Sequence, residues 1–296
     1  MLAVLAVTVL AALCSVVVKA GLGYSPPLFF GGLRALIAGT ALLGLARLGG
    51  RPVLPAPRRW PAVLALALVA TTATYGGMFL SPGRVGAGIA SVLGNVQPLV
   101  AVLLAALVLH ERLTRAKVAA VLLGTAGVLL ITYPRLAGGL GEAGAGSLLA
   151  LSASLGAAAG SVLVKRMDLH DELLLAVTGW QLVFGSLPLL GAAALLEPVG
   201  ETTWGAAFAG MLLFLSLGGT ALSTTLWFWL LGHGDVGRLS LFLFLVPVLG
   251  LGFAWVVFDE QVAPLEGAGM LAILVGTALV LREPARAPSL ATPHHR

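Results

Sequence analysis

The chain has 296 residues, 59% of them hydrophobic and only 10% charged, with a mean hydropathy of +1.03 and a net charge of +5. Soluble domains carry roughly 25% charged residues, so a soluble fold is excluded and the length is better counted in membrane spans of about 20 residues. A pI near 10 invites a nucleic-acid reading. The basic residues, however, lie in short loops between apolar runs and form no patch with aromatics, so no nucleic-acid partner is expected.

The first apolar run, MLAVLAVTVLAALCSVVV, ends on Lys19. It lacks the basic flank and small-residue cleavage site of a signal peptide and is expected to be the first span. Its Cys14 is the single cysteine and has no partner for an intramolecular disulfide. Further apolar stretches follow at about 27–48, 60–80, 85–109, 115–133, 146–165, 172–195, 204–231, 236–258 and 265–282, giving ten expected helices. The breaks between them, such as GGRPVLPAPRRW at 49–60 and RMDLHDE at 166–172, are short and polar. The tail REPARAPSLATPHHR is Pro-rich and expected to be disordered. With the N-terminus in the cytoplasm, thirteen of the seventeen Lys and Arg face inside, which predicts that both termini are cytoplasmic.

The two halves repeat each other. An offset of 149 pairs Thr71 with Thr220, Gly88 with Gly237, Ser91 with Ser240, Pro98 with Pro247, Glu111 with Glu260 and Gly127 with Gly276. Near the start of each half the offset is 146 for Ser15/Ser161 and Lys19/Lys165, and 147 for Gly32/Gly179. Leu and Ala identities are easy by chance in apolar sequence, but a proline thirteen residues ahead of a glutamate in both halves is not. An odd number of spans per half forces the second copy to insert upside down. The predicted fold is therefore an all-α integral membrane protein of ten transmembrane helices in two inverted-topology five-helix repeats, an architecture shared by many secondary transporters. The expected boundaries are 1–135 and 146–283 for the two repeats, 136–145 for the connecting loop and 284–296 for the tail.

Three segments carry a family resemblance: SPPLFFGGLRALIAGTALL, GAGIASVLGNVQPLVAVLLAALVLHERLTRAKVAAVLLGTAGVLL and WFWLLGHGDVGRLSLFLFLVPVLGLGFAWVVFDEQV. They resemble EamA-type members of the drug/metabolite transporter superfamily, from about Leu2 to Arg282. The family pattern has Gly before each glutamate, where this chain has His110 and Asp259, and Gly nine residues after it, where Gly269 matches and Ala120 does not. The resemblance implies export of small metabolites, amino acids or drugs from the cell, a plasma-membrane location, a lipid bilayer and a small-molecule substrate as partners, and a monomer or homodimer. No cofactor, metal or catalytic residue is expected. The rival classes are a membrane-embedded enzyme and a non-transporting receptor. The first would need His, Asp or Glu clustered at membrane depth, whereas His110, His170, His233, His294 and His295 all fall in loops or tail. The second would be expected to carry a large soluble domain.

Candidate substrate contacts come from the two most polar spans. Thr71, Thr74, Tyr75 and Met78 fall on one helical face, and their repeat mates are Thr220, Ser223, Thr224 and Trp227. Asn95 and Gln97 stand beside Pro98, where a proline frees a carbonyl and opens the helix; Pro98 and Pro247 are the expected kinks. The same hydroxyls equally suit helix packing. Arg34 lies too deep in the second span for a loop charge; it suits either a bond to helix-end carbonyls or an anionic substrate group. Lys19 and Lys165, at the ends of their spans, suit snorkelling into the headgroups. Topology also places Lys19 on the side of Glu260, and Lys165 on the side of Glu111, as two candidate alternating gates.

Overall fold

The computed structural model describes residues 2–81, 93–136, 143–258 and 264–282, and within them all regular structure is helical. Helix α1 (Leu2–Gly21) leads into α2 (Pro27–Leu48), and α3 (Trp60–Leu66) passes through a π-helical segment, Ala67–Ala73, into α4 (Thr74–Leu80). Then come α5 (Gln97–Val108), α6 (Arg115–Leu136), α7 (Ala143–Met167) and α8 (Asp171–Leu196). Helix α9 (Ala206–Leu213) passes through a second π segment, Phe214–Leu222, into α10 (Ser223–His233). A break at Phe242–Phe244 separates α11 (Val236–Leu241) from α12 (Leu245–Phe258), and α13 (Pro264–Leu281) closes the chain. Six helical stretches among the described residues are long and apolar enough to cross a membrane, and Gln97–Val108 and Val236–Gly250 are shorter apolar helices.

Burial follows from the solvent the chain meets. Leu107, Leu122, Leu148, Leu195 and Leu271 point outward at 64% to 85% exposure, which suits lipid rather than water. Since lipid is as apolar as leucine, helices associate through close packing and shared hydrogen bonds. Accordingly α2 packs along α8, where a Cβ on Gly39 would lie 2.7 Å from the Gly179 carbonyl oxygen. Helix α6 packs along α13 in the same way, with Gly127 against the Gly269 carbonyl at 2.6 Å.

Helix ends show how the halves are tied together. The first-turn amides of α2, Leu28 and Phe29, donate to the Glu197 carboxylate at 2.8 and 2.9 Å. Those of α11, Val236 and Gly237, donate to Glu111 at 2.7 and 3.0 Å. A carboxylate at a helix N-terminus satisfies free N–H groups and faces the positive end of the dipole. Pro98 and Pro247 stand in the first turns of α5 and α12, and each follows a break: the turn at Asn95 and the tight turn at Phe242–Phe244. Ser154 donates to the carbonyls of Leu93 and Gly94 at 2.6 and 3.0 Å, satisfying the first of these breaks.

Candidate functional site

A cavity of about 170 Å³ lies between the two π-bearing segments. From the first half it is lined by Tyr75 and Gln97, and from the second by Ser161, Gln181, Ser223, Thr224 and Trp227. Apolar walls come from Val7, Ala70, Leu182, Phe228 and Leu243. Among the described residues that line it, none carries an ionised side chain. Trp227 donates through Nε1 to Ser161 Oγ at 3.2 Å, and Ser161 donates to the Ala157 carbonyl, so the indole is tethered to the helix across the space. Phe228 also borders a second, smaller cavity with Lys165, Asp168, Asp171 and His233, and so stands between the middle and one end of the bundle.

The π segments explain which hydroxyls reach this cavity. A π turn adds a residue and rotates the helix beyond it, so the i, i+3, i+4 spacing does not hold across it. Thr74 turns back to the Val69 carbonyl at 2.9 Å, five residues earlier, and Thr72 reaches the Gly185 carbonyl at 2.9 Å. Thr71 is buried against Gln181, donating to Oε1 at 2.6 Å. Thr220 is buried too, and accepts from Arg34 Nε at 2.6 Å. Tyr75 is the residue of its group that lines the space, whereas Ser223, Thr224 and Trp227 all do. Gln97 lines it, and Asn95 sits in the turn before α5.

Two residues that the helical-face argument passed over belong to this layer. Gln181 is 1% exposed and lines the cavity. Arg34 is 4% exposed; besides Thr220 it donates through Nη2 to the Gly219 carbonyl at 3.3 Å, and its guanidinium lies 5.2 Å from the centre of the Tyr75 ring. The signal for both was in the repeat: the offset of 147 that pairs Gly32 with Gly179 also pairs Arg34 with Gln181.

The EamA-like transporter family model matches residues 1–133 and again residues 144–282. The chain belongs to the EamA-like transporter family. Among relatives of this EamA-like transporter, YvbV of Bacillus subtilis, named as a transporter, is 32% identical over 262 residues, 88% of this chain and 85% of its own. A Salmonella typhimurium protein named "Probable amino-acid metabolite efflux pump" is 30% identical over 270 residues, 88% of this chain and 87% of its own. A crystal structure at 22% identity superposes with a TM-score of 0.82 over 94% of each chain, which establishes the shared fold. The chain is thus a membrane transporter of the drug/metabolite superfamily, and its relatives are named as transporters and pumps, not enzymes.

At one end of the bundle of this EamA-like transporter, charged residues form a cluster. Lys117, itself buried, donates to both Asp235 oxygens at 2.8 Å and to Glu111 at 3.4 Å. Burial, then the hydrogen bond and charge of Asp235, push the Glu111 carboxyl up to about 7. Asp235 is held below its ordinary value by its hydrogen bonds with Glu111 and Lys117, against the pull of burial. Lys165 does not meet Glu111 in this structure. Its ammonium caps the carbonyls of Gly232 and Gly234 at 3.1 and 2.9 Å, the helix-end role open to a snorkelling lysine. Of the other candidate gate, the Lys19 side chain and the whole of Glu260 lie outside the described residues.

Proposed function

We propose that the chain is a secondary transporter of the plasma membrane that exports small metabolites, amino acids first among them, by alternating access between two inverted five-helix repeats of residues 1–135 and 146–283. Both termini are cytoplasmic, and Glu111 and its neighbours then lie at the inner face. The observation that carries the reading is a small cavity to which both halves contribute amide and hydroxyl groups, in a bundle whose helix packings recur in exchanged form. Gly32 meets Leu190 as Gly179 meets Leu43, and Gly127 meets Gly269 as Gly276 meets Ala120. Each second pair is the first with its two halves exchanged through the sequence offsets. Contacts related in this way are what a two-fold axis between inverted repeats requires, and such repeats interconvert between two open states by exchanging shapes. The contacts of substrate are assigned to Tyr75, Gln97, Gln181, Ser223, Thr224 and Trp227. A cavity of this size, with amide and hydroxyl groups beside an indole, suits a molecule of amino-acid dimensions.

The test is counterflow in proteoliposomes with a panel of radiolabelled neutral amino acids. At least one is expected to exchange, and Trp227→Ala is expected to lower its rate by about tenfold, the equivalent of about 1.4 kcal/mol. A purified, monodisperse protein that moves no member of the panel would remove the amino-acid reading.

A further inference from the structure

Arg34 and Gln181 hold equivalent places in the two halves but are different residues. The hydrogen bonds obey the equivalence: Gln181 is bonded to Thr71, and Arg34 to Thr220, the mate of Thr71. Their exposure to the cavity does not. Gln181 lines it, whereas Arg34 is sealed behind the Tyr75 ring, and Nη1 has no hydrogen-bond partner. Among the described residues Arg34 makes no ion pair. A guanidinium keeps its charge when buried. A buried, half-paired cation is costly, and the cost is tolerated where the charge has work in another state.

We propose that Arg34 is the binding group for a substrate carboxylate, reached in the conformation opposite to this one. The inference rests on the alternating-access reading above. If the halves exchange shapes, Arg34 takes the cavity-lining place that Gln181 holds here, and Gln181 withdraws behind its own half. The substrate then meets an amide donor in one state and a guanidinium fork in the other. With Oε1 already accepting from Thr71, the side-chain NH₂ is what Gln181 offers the cavity. Both groups are hydrogen-bond donors, so the shared ligand is an acceptor, and among the groups an amino-acid-sized molecule carries, a carboxylate gains most from the fork and its charge. The rest of the molecule is uncharged or carries its own compensating charge, since among the described residues no ionised side chain lines the cavity. The substrate class is a small carboxylate, with a neutral amino acid as the simplest member.

The experiment pairs each amino acid of the panel with its carboxamide and measures initial counterflow of both. Wild type is expected to favour the acid by about tenfold or more, the worth of a hydrogen bond to a charged group. Arg34→Gln makes the two halves alike at this position and is expected to bring acid and amide within about twofold of one another, while Arg34→Lys keeps part of the preference. Equal transport of acid and amide by wild type overturns the proposal without needing any variant. So does an Arg34→Gln protein that keeps the preference, or one that is monodisperse and loses both substrates in equal measure, which would make Arg34 a brace for the π segment. Flux of some panel member without a carboxylate preference sinks this inference alone; absence of all flux sinks the amino-acid reading with it.

Discussion

The middle and the end of this bundle solve the same problem with opposite chemistry. In the middle, contacts across the halves use neutral groups and one cation: Thr71 on Gln181, Thr72 on the Gly185 carbonyl, and Arg34 on Thr220. At the end they use ions and helix termini: Lys117 between Glu111 and Asp235, and Glu111 on the first amides of α11. Full charges are costly at membrane depth and cheaper near the headgroups. Breaking a bond of the neutral layer leaves only a dipole unpaired, at small cost per bond. Breaking the ionic cluster strands charge, at a greater cost per contact.

The contrast predicts unequal costs for superficially similar truncations. Lys117→Met leaves two carboxylates facing each other beside a helix end and is expected to cost about 3 kcal/mol, read as a fall in melting temperature in detergent. The loss should shrink as pH falls, because Glu111, already raised by burial and Asp235 and now without its cation, takes a proton and the repulsion ends. Thr220→Val removes the acceptor from the buried Arg34 Nε and is expected to cost about 2 kcal/mol, as for a bond to a charged group. Thr71→Val, its mate, leaves only an amide oxygen unpaired and is expected to cost about 1 kcal/mol or less, the range for neutral bonds between membrane helices. Equal losses for the two threonines would erase the distinction drawn for the middle layer.

Among the described residues the helices fall where hydropathy places them, because the bilayer allows few alternatives to a hydrogen-bonded helix. The Pro-to-Glu spacing did not announce what its ends do: Pro98 stands in the first turn of α5 rather than kinking a helix from within, and Glu111 caps α11. The π segments were not legible. Ala67–Ala73 and Phe214–Leu222 contain no residue type that marks an added residue per turn, yet they decide that Tyr75 and not Thr71 lines the cavity. The partner of Glu111 was also hidden. Topology brought Lys165 to the right face, but Lys117 and the α11 amides are closer, and which of several nearby donors wins is a matter of packing rather than of sequence order.

The smallest change in stability is expected where the charge pattern is altered without stranding anything. In Glu111→Gln the amide oxygen still accepts from an α11 amide, and its NH₂ can donate to Asp235, relieving the repulsion that the carboxylate feels. Lost and gained bonds offset, so stability at pH 7 should move by only about 0.5 kcal/mol. The pH profile should change more clearly. Folded Glu111 titrates at about 7 against an ordinary 4.5, so between those values the folded chain holds more protons than the unfolded one. Stability from this group therefore falls as pH rises across that window and stays at its lower level above it. Asp235, shifted the other way from 3.8, contributes stability that is lost only at more acid pH, outside the window. Melting temperatures measured from pH 5 to pH 8 should decline for the wild type and decline less for Glu111→Gln. Parallel profiles would mean that Glu111 stays ionised throughout, and the end cluster would then be a fixed brace with no proton linkage at all.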